Sequence, residues 1–145
     1  MVRGMPLNVA RLYRAAREAG ASRRGAFDVL VVSAAALVRA AAMPARRPGL
    51  RNASRHFAWQ ACVTARHGAD VATAVADAQE QGTTRPDDSA VDRHNNEVGR
   101  RYGAQHGEAL RAMTRARAIR YLCDAALPLW RSGELKVVSP RGRRR

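Results

Sequence analysis

The chain has 145 residues and 46% apolar residues, which fits one domain and excludes a wholly disordered chain. Aromatics are only 5%, against thirty alanines, so the core must be built from small side chains in closely packed helices. The net charge is +14 with a single lysine, Lys136, and two cysteines are too few for a disulfide scaffold or a four-cysteine zinc site.

Helical periodicity dominates, and no strand alternation competes with it. Val9, Leu12, Tyr13 and Ala16 predict a first helix that stops at Gly20. Phe27, Leu30, Val31, Ala34, Leu37, Val38 and Ala41 predict a second, with that stripe as its buried face. It ends before Pro44, and Pro48-Gly49 reads as a loop. The ten-residue stretch Val29 to Val38 is too short to span a membrane, which takes about 20 residues. Arg23-Arg24 ahead of it resembles an export signal, but Asp28 interrupts the pattern, so an internal helix in a cytoplasmic protein is expected, with export the alternative.

Asn52 is the expected N-cap of a third helix that runs to His67 and stops at Gly68. Asp70 is the expected cap of a fourth, with Val71, Ala74, Val75 and Ala78 on one face. Gly82 to Asp88 reads as a loop and Ser89 as the cap of a fifth helix, aligned through Val91, Asn95, Val98 and Tyr102. A long last helix is expected from Glu108, through Leu110, Met113, Ile119, Leu122, Cys123 and Ala126, ended or kinked by Pro128. Cys62 and Cys123 both fall in helices and read as buried free thiols. Val137-Val138 are expected in an extended tail, with a short strand the alternative, and Arg141 to Arg145 is expected to be disordered. The expectation is an all-α single compact bundle of about six helices with basic, partly disordered ends.

The charge divides the chain. Residues 1–51 hold ten arginines against two acids, residues 52–109 hold six against eight, and residues 110–145 hold ten basic residues against two acids. One domain is expected overall: basic N-terminal helices (1–51) packing on a motif-bearing core (52–109), a long C-terminal helix (110–135) and a basic tail (136–145). The basic flanks make a polyanion or nucleic acid a candidate partner, bound without sequence preference because no base-reading motif is present.

All four histidines lie in the middle segment. His56 and Gln60 share a helix face, and Trp59 lies one turn from His56. Asp77 and Glu80 are three apart near the end of the fourth helix. Asp92, Asn96 and Gly99 repeat at i, i+4, i+7, while Asn95 falls on the apolar stripe. Paired asparagines are poor helix formers because the amide competes for backbone hydrogen bonds, so the pair calls for a tertiary reason. Gly99 predicts a close backbone approach.

Three local patterns, Asn52-Ala53-x-Arg55-His56-x-x-Trp59, Asp77-Ala78-Gln79-Glu80 and Asp92-x-x-Asn95-Asn96-x-x-Gly99, recur in this order. Together they resemble a family of small bacterial helical domains known only as domain of unknown function six-nine-seven-three. The resemblance covers roughly residues 52–107. It implies a polar site on matching positions but no reaction. The family pattern has a histidine before the glutamate where this chain has Gln79, so a histidine-dependent activity would be altered here.

The candidate function is a hydrolase built on His56, Glu80, Asp92, Asn95 and Asn96. His56, Glu80 and Asp92 could ligate a divalent metal, or His56 could act as a general base oriented by a carboxylate. Arg55, Trp59 and Arg100 are the candidate substrate-binding residues. The alternatives are a structural or interaction domain whose polar network fixes helix register, and a sequence-independent polyanion binder.

Overall fold

The computed structural model describes residues 8–44, 48–81 and 86–137. The tail from Val138, including Arg141 to Arg145, and residues 82–85 of the expected loop lie outside the described residues. Seven helices occur among the described residues, without strands: α1 (Val9–Glu18), α2 (Arg23–Ala41), α3 (Pro48–His67), α4 (Ala69–Glu80), α5 (Pro86–Gln105), α6 (Gly107–Arg111) and α7 (Arg115–Arg131). No helix of the described residues is long and apolar enough to cross a membrane.

α3 is the centre of the bundle. It packs against α2, α4, α5, α6 and α7, and from Ala53 to Ala65 every residue except Arg55 is buried. A helix can be buried all round only if its side chains are small or its polar groups find partners. α3 uses both routes. Ala53, Ala58, Ala61 and Ala65 let neighbours approach, while His56, Gln60 and Thr64 form a buried polar row at four-residue spacing. Phe57 is the largest fully buried side chain, and its ring meets Tyr102 edge to face. Cys62 and Cys123 are free and buried, and burial pushes each thiol up to about 11.

Several expected boundaries move. Pro48 and Gly49 are the first residues of α3, where a proline's missing N–H leaves nothing unsatisfied, so Asn52 is one turn inside the helix and caps nothing. Gly68, with φ of 90°, ends α3 and immediately precedes α4, which puts Asp70 in the first turn, where it complements the helix dipole without capping. α5 begins at Pro86, ahead of Ser89. The long helix expected from Glu108 is two helices, because the chain turns at Ala112 and Thr114 starts a new helix by accepting from the Arg117 N–H. Pro128 sits in the last turn of α7 without ending it.

The buried face of α2 is the opposite of the one expected. Phe27 and Val38 are 63% and 69% exposed, whereas Ala26, Asp28, Val29, Val32, Ser33, Ala36 and Ala40 are buried. Asp28 decides the face. Its carboxylate accepts from Arg66 Nε (2.7 Å) and His67 Nε2 (2.6 Å) at the end of α3, and from Arg115 Nε at the start of α7. One aspartate therefore ties three helices together.

Candidate functional site

α3 and α5 run side by side in the same direction, with α4 carrying the chain back between them. Their polar side chains pair at a constant offset of forty residues. Asn52 donates to Asp92 Oδ1 (2.8 Å), His56 Nδ1 donates to Asn96 Oδ1 (2.9 Å), and Arg100 donates to Gln60 Oε1 (2.8 Å). The rungs fall every four residues on both helices, so each helix presents one row to the other. Two glycines of α5 make the approach close enough. A Cβ on Gly99 would lie 2.6 Å from the Phe57 carbonyl oxygen, and one on Gly103 would lie 2.3 Å from that of Ala61.

His56 is the centre of this ladder. It is 6% exposed, and Asn96 is 2% exposed. An amide oxygen can only accept, so Asn96 holds the proton of the neutral ring on Nδ1 and leaves the lone pair on Nε2. That nitrogen lies 3.4 Å from Asp92 Oδ1 and 3.4 Å from an Arg55 guanidinium nitrogen. Burial pushes the pKa of His56 below its ordinary 6.5. Asp92 and the Asn96 hydrogen bond pull the other way, and Arg55 adds to the depression. Trp59 stands against the imidazole with ring centroids 6.2 Å apart, and its Nε1 donates to Ser33 Oγ (2.8 Å).

The other expected site residues divide. Glu80 lies outside the ladder; its Oε2 is 3.7 Å from Arg93, and its pKa is raised by burial and by the nearby Asp77 and Asp92 carboxylates, against the pull of Arg93. Arg100 binds Gln60, not the histidine. Asn95 points away from its neighbour's partner altogether. It donates to the Lys136 carbonyl (2.9 Å) and accepts from the Lys136 N–H (2.9 Å), while His94 Nε2 donates to the Glu134 carbonyl (2.7 Å). The two consecutive asparagines thus do separate jobs, one on the histidine and one on the segment after α7. That segment is seated by buried Leu135. Its Val137 packs so close to Gly49 that a Cβ there would come within 2.7 Å.

Asn95 is fully buried, and its amide is the partner of both backbone groups of Lys136. Asn95→Ala is expected to cost about 1–3 kcal/mol, because it strands two backbone groups. The accompanying sign is faster amide exchange at Lys136 and Val137. A variant with unaltered melting and unaltered exchange there would show that this clasp contributes nothing.

Among the described residues, no three His, Cys, Asp or Glu side chains are grouped to hold a metal ion. His56 and Asp92 adjoin, but the third candidate ligand, Glu80, is turned to Arg93. A pocket does open beside the histidine, lined by Ser33, Ala36, Leu37, Arg55, His56, Trp59 and Gln79. Its space open to water is about 40 Å³, room for a few water molecules or one small group. Gln79, from α4, therefore faces the same space as His56.

Sequence reading missed three members of this region. By its local pattern Asn52 fits a cap, and Gln60 merely shares a face with His56. Yet Asn52, His56 and Gln60 repeat at the spacing of Asp92, Asn96 and Arg100, and that shared period was the available signal. Ser33 carries no signal beyond its position inside an apolar helix.

No curated protein and no solved structure matches the chain. A family model does match, over residues 31–126, about two-thirds of the chain, from α2 through most of α7. It spans the ladder and the pocket but begins after Asp28, and by it the chain belongs to the family described as domain of unknown function DUF6973.

Proposed function

We propose that the chain is a hydrolase in which His56 is the general base. The observation that carries this is the Asn96 hydrogen bond at 2.9 Å, which fixes the ring tautomer and keeps Nε2 as the basic nitrogen beside Arg55. A depressed pKa keeps that base unprotonated at neutral pH. In this reading Nε2 takes a proton from water as it attacks a carbonyl or phosphoryl centre. The imidazolium so formed lies 3.4 Å from Asp92, whose carboxylate stabilises it. Asn52 holds Asp92 in place. Arg55 offsets the negative charge that builds on the attacked group, and the protonated His56 then gives its proton to the leaving group, while Glu80, turned to Arg93 and absent from the pocket wall, stays outside the reacting set. Asn95 acts through the segment it clasps and stays outside the reacting set.

A second reading has its own support. His56 and Asn96 are buried and satisfied by each other, as a polar network that only fixes helix register would be. Separately, the exposed Arg14 and Arg17 on α1 and Arg115, Arg117 and Arg120 on α7 favour a sequence-independent attraction to polyanions through the flanks.

The deciding experiment assays the full chain against nitrophenyl esters and nitrophenyl phosphates between pH 5 and 9, beside His56→Gln. Turnover is expected to rise through the His56 titration below pH 6.5 and then stay level, and the variant is expected to lose about 100-fold or more. A folded protein that turns over nothing, or a variant as active as the parent, would leave the register reading in possession.

A further inference from the structure

A guanidinium taken largely out of water is normally met by a carboxylate. Arg55 is not. Its hydrogen bonds go to the Asn52 amide oxygen (3.0 Å) and to His56 Nε2 (3.4 Å), and among the described residues no carboxylate reaches ion-pair distance from it. Asp92 acts on it only at longer range, and burial depresses its pKa accordingly. Arg55 also lines the pocket beside His56. A cation left short of charge at the wall of a cavity is a place for an anion from outside.

The rest of the wall defines that anion. Ala36, Leu37 and Trp59 are apolar. Ser33 is already committed, donating to the Val29 carbonyl (2.7 Å) and accepting from Trp59 (2.8 Å), so its hydroxyl is neither a free donor nor a free nucleophile. Arg55, His56 and Gln79 remain as the polar groups. A planar carboxylate suits an arginine fork, and the apolar wall suits a short carbon chain. The space of about 40 Å³ takes the head group and at most the first carbons, so a long chain has no room.

We propose that the pocket takes a short-chain carboxylate, its head group on Arg55 and Gln79 and its chain against Leu37 and Trp59. The inference rests on the hydrolase reading for its chemical sense and supplies that reading's substrate class: esters of short-chain acids. Water adds to the acyl carbon as His56 Nε2 removes its proton. The acyl C–O bond to the leaving group then breaks, and the proton passes to the departing alkoxide. The products are an alcohol and the short carboxylic acid, which releases its remaining proton to solvent, so that the new carboxylate charge falls beside Arg55.

The test measures binding, not turnover. The full chain is titrated calorimetrically with butyrate, octanoate and inorganic phosphate. Butyrate is expected to bind, and the other two to bind at least about tenfold more weakly. Arg55→Gln is expected to weaken butyrate by about tenfold or more, the loss of a charge-assisted hydrogen bond. Leu37→Trp fills the pocket from α2 without touching the arginine and is expected to abolish binding. If Arg55→Gln does not fold, Leu37→Trp decides, and retained butyrate affinity there overturns the assignment. Phosphate binding as tightly as butyrate overturns it too, as does the absence of butyrate binding in the parent protein. Butyrate binding with no ester turned over would sink the hydrolase reading and keep the carboxylate site. Turnover without butyrate binding would sink this inference alone.

Discussion

Gly103→Ala is expected to be the most damaging single methyl in the described structure. The added Cβ would lie 2.3 Å from the Ala61 carbonyl oxygen and 2.9 Å from both its carbonyl carbon and its Cα. All three are backbone atoms of the central helix, so no side chain can rotate aside, and α5 itself must move. Overpacking a rigid contact costs about 1–3 kcal/mol and sometimes more, against a gain of about 1 kcal/mol from replacing glycine inside a helix. The clash lies beyond the distances that ordinary repacking absorbs, so a net loss of about 3 kcal/mol is expected. The melting temperature should fall by roughly 10 °C. Gly107→Ala is the natural comparison, since its Cβ would meet only the end of the Arg111 side chain, and it should cost far less. Equal melting temperatures for the two variants would mean that α5 does not sit this close to α3.

The second large effect is expected at Asp28. Burial alone would raise its pKa, but hydrogen bonds from Arg66, Arg115 and His67 outweigh that and hold the carboxyl at about 2, below its ordinary 3.8. Asp28→Ala leaves two arginines and a histidine gathered without their anion. Breaking a buried pair costs about 3–5 kcal/mol; here the Arg66 side chain is a quarter exposed and that of Arg115 nearly half, so both can turn to water, and about 2–3 kcal/mol is the expected loss. The pH dependence has a definite sign. A folded pKa below the unfolded one adds stability above about pH 4, and that stability drains away as pH falls toward 2. Denaturant unfolding of parent and variant should therefore differ most at neutral pH and converge near pH 2. A gap of constant size across that range would show that the aspartate acts through packing and not through charge.

The helices were legible in the sequence because their apolar spacing is strong, and His67-Gly68 marked a true end. Their faces and starts were less so. Apolar residues surround most of α2, so periodicity could not choose between the side with Phe27 and the side with Val29. The choice is made by cations far along the chain, at Arg66 and Arg115, which no local window contains. Asn52 satisfied every local rule for a cap and was overruled by a proline four residues earlier and a carboxylate forty residues later. The asparagine pair was correctly read as needing tertiary partners. That Asn96 serves His56 while Asn95 serves Lys136 follows from the 100° turn between successive residues, which sends neighbours to different elements.

The constant offset between α3 and α5 also determines where the chain can change length. One residue inserted between Asn52 and Gln60, or between Asp92 and Arg100, would rotate everything beyond it by about 100° and carry part of one row off its partner. Residues added between Gln81 and Pro86 lie outside both rows and leave every pair facing its mate. Length variation among proteins that keep this ladder should therefore gather at the α4–α5 connection, while the two nine-residue stretches that bear the pairs stay free of gaps.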